Sequence, residues 1–426
     1  MKESEYNYSV TIDKATEIIF NGRTKRFFMV SHENLFRFLE ILKHPDAYKT
    51  QYAPFVMRML NEGFVVNDED DELEMIKKTY ETYLRPNSFM LMILPTYQCN
   101  VRCWYCTQKH QDVRMSDDTL SRLKRHIKNE LKNNKNIQDF YISWFGGEPL
   151  LEKEIIADVT SFAIDVCNKY GVEFSAGITT NGILFNAEVI KQFRLLGIRD
   201  YQITIDGFRE QHNKVKRLED KSAFDITLNN IKDIILLNPE ARITLRLNYT
   251  DVCEPEKILT DVNSKIPKPL RKNITVSPHK VWQIDESRIL RSTKDALMNT
   301  WKGHSYKYSG CQLGVCYVDR KHYETIFPNG GVGKCDNDDM SDCRGMLKED
   351  GNVKWLSEYK FSNNSIFNET FPCHQCKHLP ICWGPCPHER ESMLDKKKST
   401  CCPYENADSM IYDYIRDYIN RFNLIK

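Results

Sequence analysis

The chain has 426 residues, 41% of them hydrophobic, which is enough for one large domain and one or two smaller ones with their own cores. Its 60 basic and 59 acidic residues leave a net charge of +1, so no bulk field favours nucleic acid or a membrane surface as a partner. The N-terminus has no basic region followed by an apolar stretch, and no run of about 18 apolar residues occurs, so we expect a cytoplasmic protein.

Residues 1–85 are predicted to form a small winged-helix-like module. Short apolar runs at 17–20, 26–30 and 63–66 predict strands, and the apolar spacing over 33–43 predicts an amphipathic helix. An exposed edge of such a sheet can bind an extended peptide as an added strand. The module therefore has two interpretations, a peptide-recognition unit or a structural cap on the next domain.

Residues 86–285 change to strands that alternate with helices. Behind a possible N-cap at Ser116, apolar residues step by three and four, as on a helix packed against a sheet. Repeated units of this kind predict a parallel sheet in an α/β fold, a partial (β/α)6 TIM-like barrel with its chemistry at the carboxyl ends of the strands. We predict the strands at 89–94, 139–145, 173–179, 201–205, 242–247 and 274–284.

Residues 286–426 are predicted to form a cysteine-rich, largely irregular domain that ends in a helix over 406–423. Of the 15 cysteines in the chain, ten lie between Cys311 and Cys402. In a reducing compartment, cysteines crowded in this way indicate metal rather than disulfides. A metal framework would stabilise a segment with too few apolar residues to fold alone.

A second group of cysteines follows the first predicted barrel strand, with the spacing Cys99-x3-Cys103-x2-Cys106. Three thiolates on one loop can bind three irons of a four-iron, four-sulfur cluster and leave the fourth iron without a protein ligand. A zinc site would need four ligands, and only His110 stands nearby to complete one.

This cysteine spacing after a strand resembles the signature of the radical SAM superfamily. The resemblance implies that S-adenosylmethionine (SAM) binds the open iron, is cleaved by one electron, and yields a 5'-deoxyadenosyl radical that abstracts hydrogen from the substrate. Tyr105 would then lie against the adenine of SAM. The ends of the following predicted strands are similar to further SAM-binding segments of that family, which implies roles in cofactor binding for Gly146, Gly147, Glu148, Thr180, Asn181, Asp206, Arg217 and Asn248.

The later cysteines resemble the SPASM domain of such enzymes, including a run Cys-x2-Cys-x5-Cys-x3-Cys that begins at Cys373. The resemblance implies two auxiliary four-iron clusters, three clusters in all. One would be bound by Cys311, Cys316, Cys335 and Cys386, and the other by Cys373, Cys376, Cys382 and Cys401. Cys402 is the alternative to Cys401, and Cys343 has no assigned place. Zinc remains an alternative here, because Cys-x2-Cys pairs also suit zinc ribbons.

Two auxiliary clusters suit an oxidation. Residues 1–85 also resemble the precursor-recognition module of enzymes that modify ribosomally made peptides. The resemblance implies a maturase that cross-links or otherwise oxidises a precursor peptide. Its electrons would come from a flavodoxin or ferredoxin. A sulfatase-type maturase that makes formylglycine in a protein is a second interpretation, because Asp336 beside Cys335 resembles the catalytic base of those enzymes. A third interpretation is a non-catalytic zinc scaffold that binds a partner peptide.

Overall fold

The computed structural model describes residues 1–289, 291–309, 313–356, 366–369, 371–395, 402, 404 and 406–420. The chain forms two compact units. The first comprises Met1–Arg85, Cys311–Arg320 and Lys360–Lys426, and the second comprises Pro86–Gly310 and Lys321–Tyr359. Residues 286–426, predicted as a third domain, are thus distributed over both units. The division of the chain into three functional domains, 1–85, 86–285 and 286–426, stays a prediction.

The N-terminal part of the first unit is built on a three-stranded antiparallel sheet of β2, β3 and β4, in that order. A two-stranded antiparallel pair of β1 and β5 accompanies it. Its strands are β1 Lys2–Glu3, β2 Asn7–Thr11, β3 Thr16–Asn21, β4 Phe27–Ser31 and β5 Val65–Val66. Its helices are α1 His32–Lys43, α2 Pro45–Tyr48, α3 Ala53–Asn61 and α4 Glu72–Tyr83.

The central strand β3 is buried along both faces, which explains its unbroken apolar run. On one face, Ile19 packs with Phe28 and with side chains of α1 and α3. On the other, Ile18 and Phe20 pack against the C-terminal helix of the same unit. The first unit therefore assembles segments from both ends of the chain around one small sheet.

The second unit contains an 11-stranded sheet whose order is β12-β11-β10-β9-β8-β7-β6-β13-β14-β15-β16. Neighbouring strands from β12 to β13 run parallel, and the last three strands are antiparallel. The parallel strands are β6 Ser88–Ile93, β7 Asp139–Trp144, β8 Glu173–Thr180, β9 Ile198–Asp206, β10 Arg242–Tyr249, β11 Ile274–Lys280, β12 Lys307–Tyr308 and β13 Tyr323–Ile326.

The six predicted strands are all present, in chain order and parallel, which confirms the α/β, partial-barrel prediction. Helices lie between them, and Ser116 is the N-cap of the first, since its side chain accepts from Thr119 N. The helices of this unit are α5 Asp117–Asn133, α6 Lys153–Tyr170, α7 Ala187–Leu195, α8 Arg209–Val215, α9 Ala223–Leu237, α10 Pro255–Asn263 and α11 Arg291–Thr300. Apolar faces of helices and strands form one continuous core.

The expectation of an irregular segment beyond residue 285 is wrong for its first part. β13 extends the parallel sheet beside β6, and the antiparallel strands follow as β14 Gly331–Gly333, β15 Gly345–Leu347 and β16 Val353–Trp355. Each has only three or four residues, too few to display the alternation by which a strand is recognised in sequence. The remaining helices belong to the first unit and are α12 Leu379–Cys382, α13 Pro387–Asp395 and α14 Ala407–Asn420. None of the helices in the described ranges has the length and apolar run needed to cross a membrane.

Candidate active site

The first three cysteines lie on the loop that follows β6. Near the ends of this loop, Tyr97 N donates to the Val113 carbonyl at 3.0 Å, which closes the loop at its base. Within it, Cys106 N donates to the Cys103 carbonyl at 3.1 Å. Cys99, Cys103 and Cys106 are therefore presented on one short, closed segment at the carboxyl end of the strand.

All three thiols are partly buried. Burial raises the pKa of Cys103 to about 11, and it also raises the pKa of Cys99 and of Cys106. The charge of Cys106 raises the pKa of the other two further, so the sulfurs are near neighbours. Thiols in this setting ionise when a cation binds between them, because metal binding replaces their protons. The donor set therefore fits an iron–sulfur cluster.

Within the described ranges, no three Cys, His, Asp or Glu side chains converge as one metal ion requires. Each cysteine of a four-iron cluster binds a different iron, so that chemistry needs no such convergence. His110, which follows the loop cysteines, has two buried ring nitrogens without a hydrogen-bond partner among the described residues. A neutral imidazole has one donor and one acceptor nitrogen, and buried polar atoms of this kind are satisfied when a polar group binds nearby.

Two glycines hold the end of β7 against the chain that enters the cysteine loop. Gly147 N donates to the Thr96 carbonyl at 3.2 Å, and Glu148 N donates to the Gln98 carbonyl at 2.7 Å. A Cβ on Gly147 would lie 2.1 Å from the Gln98 oxygen, and one on Gly146 would lie 2.5 Å from the Thr96 oxygen. Glycine is required at both positions because the two backbones are in direct contact.

Glu148 is completely buried, and its carboxylate is held by donors of the chain. Oε1 accepts from Leu150 N at 3.1 Å and from Thr180 Oγ1 at 2.8 Å, and Oε2 accepts from Asn181 N at 2.9 Å. Burial raises the pKa of Glu148 to about 7, against the effect of these hydrogen bonds. The Asn181 side chain donates to Asn100 Oδ1 at 2.7 Å, beside the first cysteine. The ends of β7 and β8 thus meet the cysteine loop.

A second polar group joins the ends of β9 and β10 to the same loop. Tyr105 Oη donates to Asp206 Oδ1, and Asn248 Nδ2 donates to both Tyr105 Oη at 3.0 Å and Asp206 Oδ1 at 3.1 Å. Lys216 forms an ion pair with the other oxygen of Asp206. Burial acts to raise the pKa of Asp206, but Lys216 and His212 hold it below its usual value. Asp206 is therefore a buried carboxylate with its own cation.

Arg217 is not brought into this group, because its side chain is exposed. Lys216 takes the buried position, and sequence reasoning missed it. The signal was its spacing, since Lys216 N donates to the His212 carbonyl at 2.8 Å and so continues the turn of α8 that carries His212 inward.

Asp336 lies on the segment after β14, beside Cys335, whose thiol donates to Asp336 Oδ1 at 3.4 Å. Its negative charge acts on Arg246 of β10, whose pKa is lowered by burial and raised again by Tyr105, Asp336 and Asp206. The charge of Arg246 adds to burial in lowering the pKa of His279 to about 4. Asp336 is therefore within electrostatic reach of Arg246, which lies near the carboxyl end of β10. His279, paired in register with Asn248, is a further site residue that the sequence did not indicate.

The later cysteines of the first unit fall into two groups of interacting thiols. The charge of Cys386 raises the pKa of Cys316 beyond the effect of burial. Burial raises the pKa of Cys382 to about 12, and the charges of Cys373, Cys402 and Cys376 add to that effect. Cys316, Cys373, Cys376 and Cys382 are partly buried, whereas Cys386 and Cys402 are exposed. Grouped thiols of this kind match the donor chemistry of iron–sulfur clusters.

Cys402 lies near the group of Cys373, Cys376 and Cys382, since its charge acts on all three thiols. Cys401, which the sequence favoured, lies outside the described residues, as does Cys311. Cys335 belongs to the second compact unit. The two auxiliary ligand sets therefore stay predictions. Of the two candidates for the last ligand, Cys402 is the one that the structure describes.

Residues 93–251 match the family model of the Radical SAM superfamily. An uncharacterized protein of Methanocaldococcus jannaschii is 33% identical over 137 residues, which cover 32% of this chain and 40% of that protein. The GTP 3',8-cyclase of Clostridium perfringens strain 13 is 28% identical over 270 residues, which cover 58% of this chain and 79% of that enzyme. The first of these matches spans less than half of the relative.

Solved structures extend the likeness beyond this region. anSMEcpe with bound AdoMet and Cp18Cys peptide has a TM-score of 0.56 at 16% identity, covering 80% of this chain and 100% of that one. Streptococcus suis SuiB bound to precursor peptide SuiA has a TM-score of 0.52 at 13% identity, covering 95% of this chain and 99% of that one. At such identities the likeness establishes a common fold. The family match identifies residues 93–251 of this chain as a radical SAM domain.

Proposed function

We propose that the chain is a radical SAM maturase that oxidatively modifies a ribosomally made precursor peptide, by a cross-link or a related bond. The observation that carries this proposal is the meeting of the cysteine loop, Glu148 and the Tyr105–Asp206–Asn248 group at the carboxyl ends of adjacent parallel strands. Barrel enzymes place their chemistry at that edge.

Cys99, Cys103 and Cys106 would bind the cluster, and SAM would bind its open iron. With both bound, the cluster supplies the electron that breaks a carbon–sulfur bond of SAM and yields the 5'-deoxyadenosyl radical. A carboxylate offers about four acceptor positions, and donors of the chain occupy three on Glu148. The remaining position suits the ammonium group of SAM, since a cation offsets the burial of the carboxylate.

A substrate that has lost a hydrogen atom must still lose one electron and one proton to become an oxidised product. We propose that Asp336 takes the proton, because it is a carboxylate within electrostatic reach of Arg246 on β10. The auxiliary clusters predicted from the cysteine pattern would accept the electron. The same residue favours the second candidate, a sulfatase-type maturase, in which the base deprotonates a cysteine or serine of a protein substrate.

The peptide maturase is favoured by an open sheet edge in the first unit. In the described part of the chain, β4 pairs with β3 alone. Asn21 N donates to the Arg26 carbonyl and His32 N to the Ala15 carbonyl, so the alternation of antiparallel bonds directs Met29 N–H away from β3. A leader segment that added a strand here would bind these groups. SuiB and anSMEcpe, which share the fold, have been solved with peptides bound.

The remaining expectations are part of the same proposal. A flavodoxin or ferredoxin would supply the electron for SAM cleavage, in the cytoplasm. Residues 1–85 would recognise the leader, 86–285 would carry the radical chemistry, and 286–426 would carry the auxiliary clusters.

Replacing Cys99, Cys103 and Cys106 together by alanine should abolish formation of 5'-deoxyadenosine and remove about four irons per chain, because a cluster needs its thiolates. The assay is chromatography of anaerobic, dithionite-reduced reactions, with iron and sulfide analysis. Cys167→Ala, on the buried face of α6, is the matched control and should retain both properties. Continued 5'-deoxyadenosine formation in the triple variant would contradict the assignment, and zinc without iron in the wild type would favour the scaffold interpretation.

Glu148→Gln should weaken SAM binding about 10- to 100-fold, because an amide cannot offset a cation and leaves one chain donor unpaired. Iron content should not change, since Glu148 is not a proposed ligand. Anaerobic equilibrium dialysis measures the binding. Glu152→Gln changes a nearby carboxylate that pairs with Arg114 at 3.4 Å, and it should bind SAM as the wild type does. Unchanged affinity in Glu148→Gln would refute the role.

Met29→Pro should weaken binding of the precursor peptide while SAM cleavage without peptide continues at the wild-type rate. Proline removes the N–H at the open edge of β4, and Met29→Ala keeps it, so the alanine variant should bind more tightly than the proline variant. Fluorescence anisotropy of a labelled leader peptide measures this. Equal affinities for wild type and Met29→Pro would place the leader elsewhere.

Asp336→Asn should uncouple SAM cleavage from product formation. The variant should still make 5'-deoxyadenosine but yield about a hundredfold less oxidised peptide, because no base takes the proton from the substrate radical. Mass spectrometry of the peptide and chromatography of the nucleoside give the ratio. Asp342→Asn, a nearby exposed carboxylate, is the control. A wild-type ratio in Asp336→Asn would remove Asp336 from the reaction.

A further inference from the structure

Arg390 of α13 is a fully buried cation in the first unit. It follows Cys386 by one helical turn, and its backbone N donates to the Cys386 carbonyl at 3.0 Å. Its Nη2 forms an ion pair with Asp319. An ion pair offsets the removal of a guanidinium from water only when further hydrogen bonds satisfy its remaining donors. The position therefore needs more than one partner.

Asp319 is itself close to a cysteine, since its backbone N donates to the Cys316 carbonyl at 3.1 Å. Burial raises the pKa of Asp319, while Arg390 and a hydrogen bond from Tyr80 act in the opposite direction. The Asp319 carboxylate is thus largely shielded from water and accepts from both Arg390 and Tyr80. It cannot accept from every donor of the Arg390 guanidinium.

Two nitrogens of Arg390, Nε and Nη1, are buried and have no acceptor within the described part of the chain. A guanidinium has five N–H groups in one rigid plane. The ion pair of Nη2 with Asp319 therefore fixes the directions in which the remaining N–H groups point. A buried charged donor without an acceptor destabilises the folded chain, because it has lost its hydrogen bonds to water.

Cysteines lie near this guanidinium along the chain, because Arg390 N contacts the Cys386 carbonyl and its partner Asp319 contacts the Cys316 carbonyl. Its charge lowers the pKa of Cys316 and of Cys373, against the effect of burial on each. Cys373 packs on the apolar cluster that contains Tyr80 and Trp383, next to the Asp319 pair. Arg390 therefore lies among cysteines of both predicted auxiliary ligand sets, and anionic sulfur is the acceptor that this place offers.

We propose that Arg390 donates its Nε and Nη1 hydrogens to sulfur atoms of an auxiliary iron–sulfur cluster and thereby raises the reduction potential of that cluster. The proposal rests on the auxiliary clusters of the proposed function. Hydrogen bonds to cluster sulfurs and a nearby positive charge both stabilise the reduced, more negative state. A cluster that is easier to reduce accepts more readily the electron that an oxidised peptide must lose.

The test compares three substitutions in the full, reconstituted chain, with EPR-monitored redox titration of the auxiliary clusters. The titration is made in the chain without the three loop cysteines, so that only auxiliary clusters respond. Arg390→Gln should shift the midpoint of at least one auxiliary cluster to more negative potential. Asp319→Asn should shift it in the positive direction, because it removes a negative charge and leaves the guanidinium. Arg390→Lys should fall between Arg390→Gln and the wild type.

A purely structural role predicts a different pattern, since Arg390→Gln and Asp319→Asn break the same ion pair and would then act alike. Midpoints that move in the same direction, or that stay at the wild-type value with full iron and sulfide content, would overturn the proposal. If Arg390→Gln does not retain clusters, the opposite shifts of Arg390→Lys and Asp319→Asn decide. A wild-type chain that contains the iron of only one cluster would refute the auxiliary clusters themselves. Iron analysis distinguishes that result from a failure of the role of Arg390.

Discussion

The contact between Gly147 and the Gln98 carbonyl is the constraint on which the rest of the site depends. A Cβ there would lie 2.1 Å from that oxygen, so the end of β7 and the start of the cysteine loop meet backbone to backbone. This contact holds Glu148 against the start of the loop, where Glu148 N donates to the Gln98 carbonyl at 2.7 Å. Cysteine loop and carboxylate are thereby positioned by the main chain, which is stiffer than any side chain.

Buried charges in the two units are compensated in contrasting ways. Asp206 has its own cation in Lys216, and its pKa is lowered. Glu148 has mainly neutral donors, and burial raises its pKa to about 7. Arg390 has one carboxylate and two nitrogens without acceptors among the described residues. The proposed SAM ammonium group would offset the buried charge of Glu148, and the proposed auxiliary cluster would accept hydrogen bonds from Arg390.

Much of the second unit could be predicted because its strands are long and its helices have regular apolar spacing. The six parallel strands and the N-cap Ser116 were predictable from local pattern alone. β14 and β15 were not, because strands of three residues acquire their structure from neighbours already in the sheet. At the site, motif spacing indicated Asp206 and Asn248. Lys216 follows His212 by four residues, but this spacing identifies Lys216 only once α8 is known to continue to that residue, which is a property of the folded helix.

The central claim is that Cys99, Cys103 and Cys106 leave one iron of their cluster open for SAM. Electron–nuclear double resonance of the reduced protein, with SAM labelled by ¹⁵N in its amino group and ¹⁷O in its carboxylate, tests this directly. The account predicts hyperfine coupling of both labels to the reduced cluster, because both groups bind the open iron. A reduced cluster that binds labelled SAM without either coupling would contradict it.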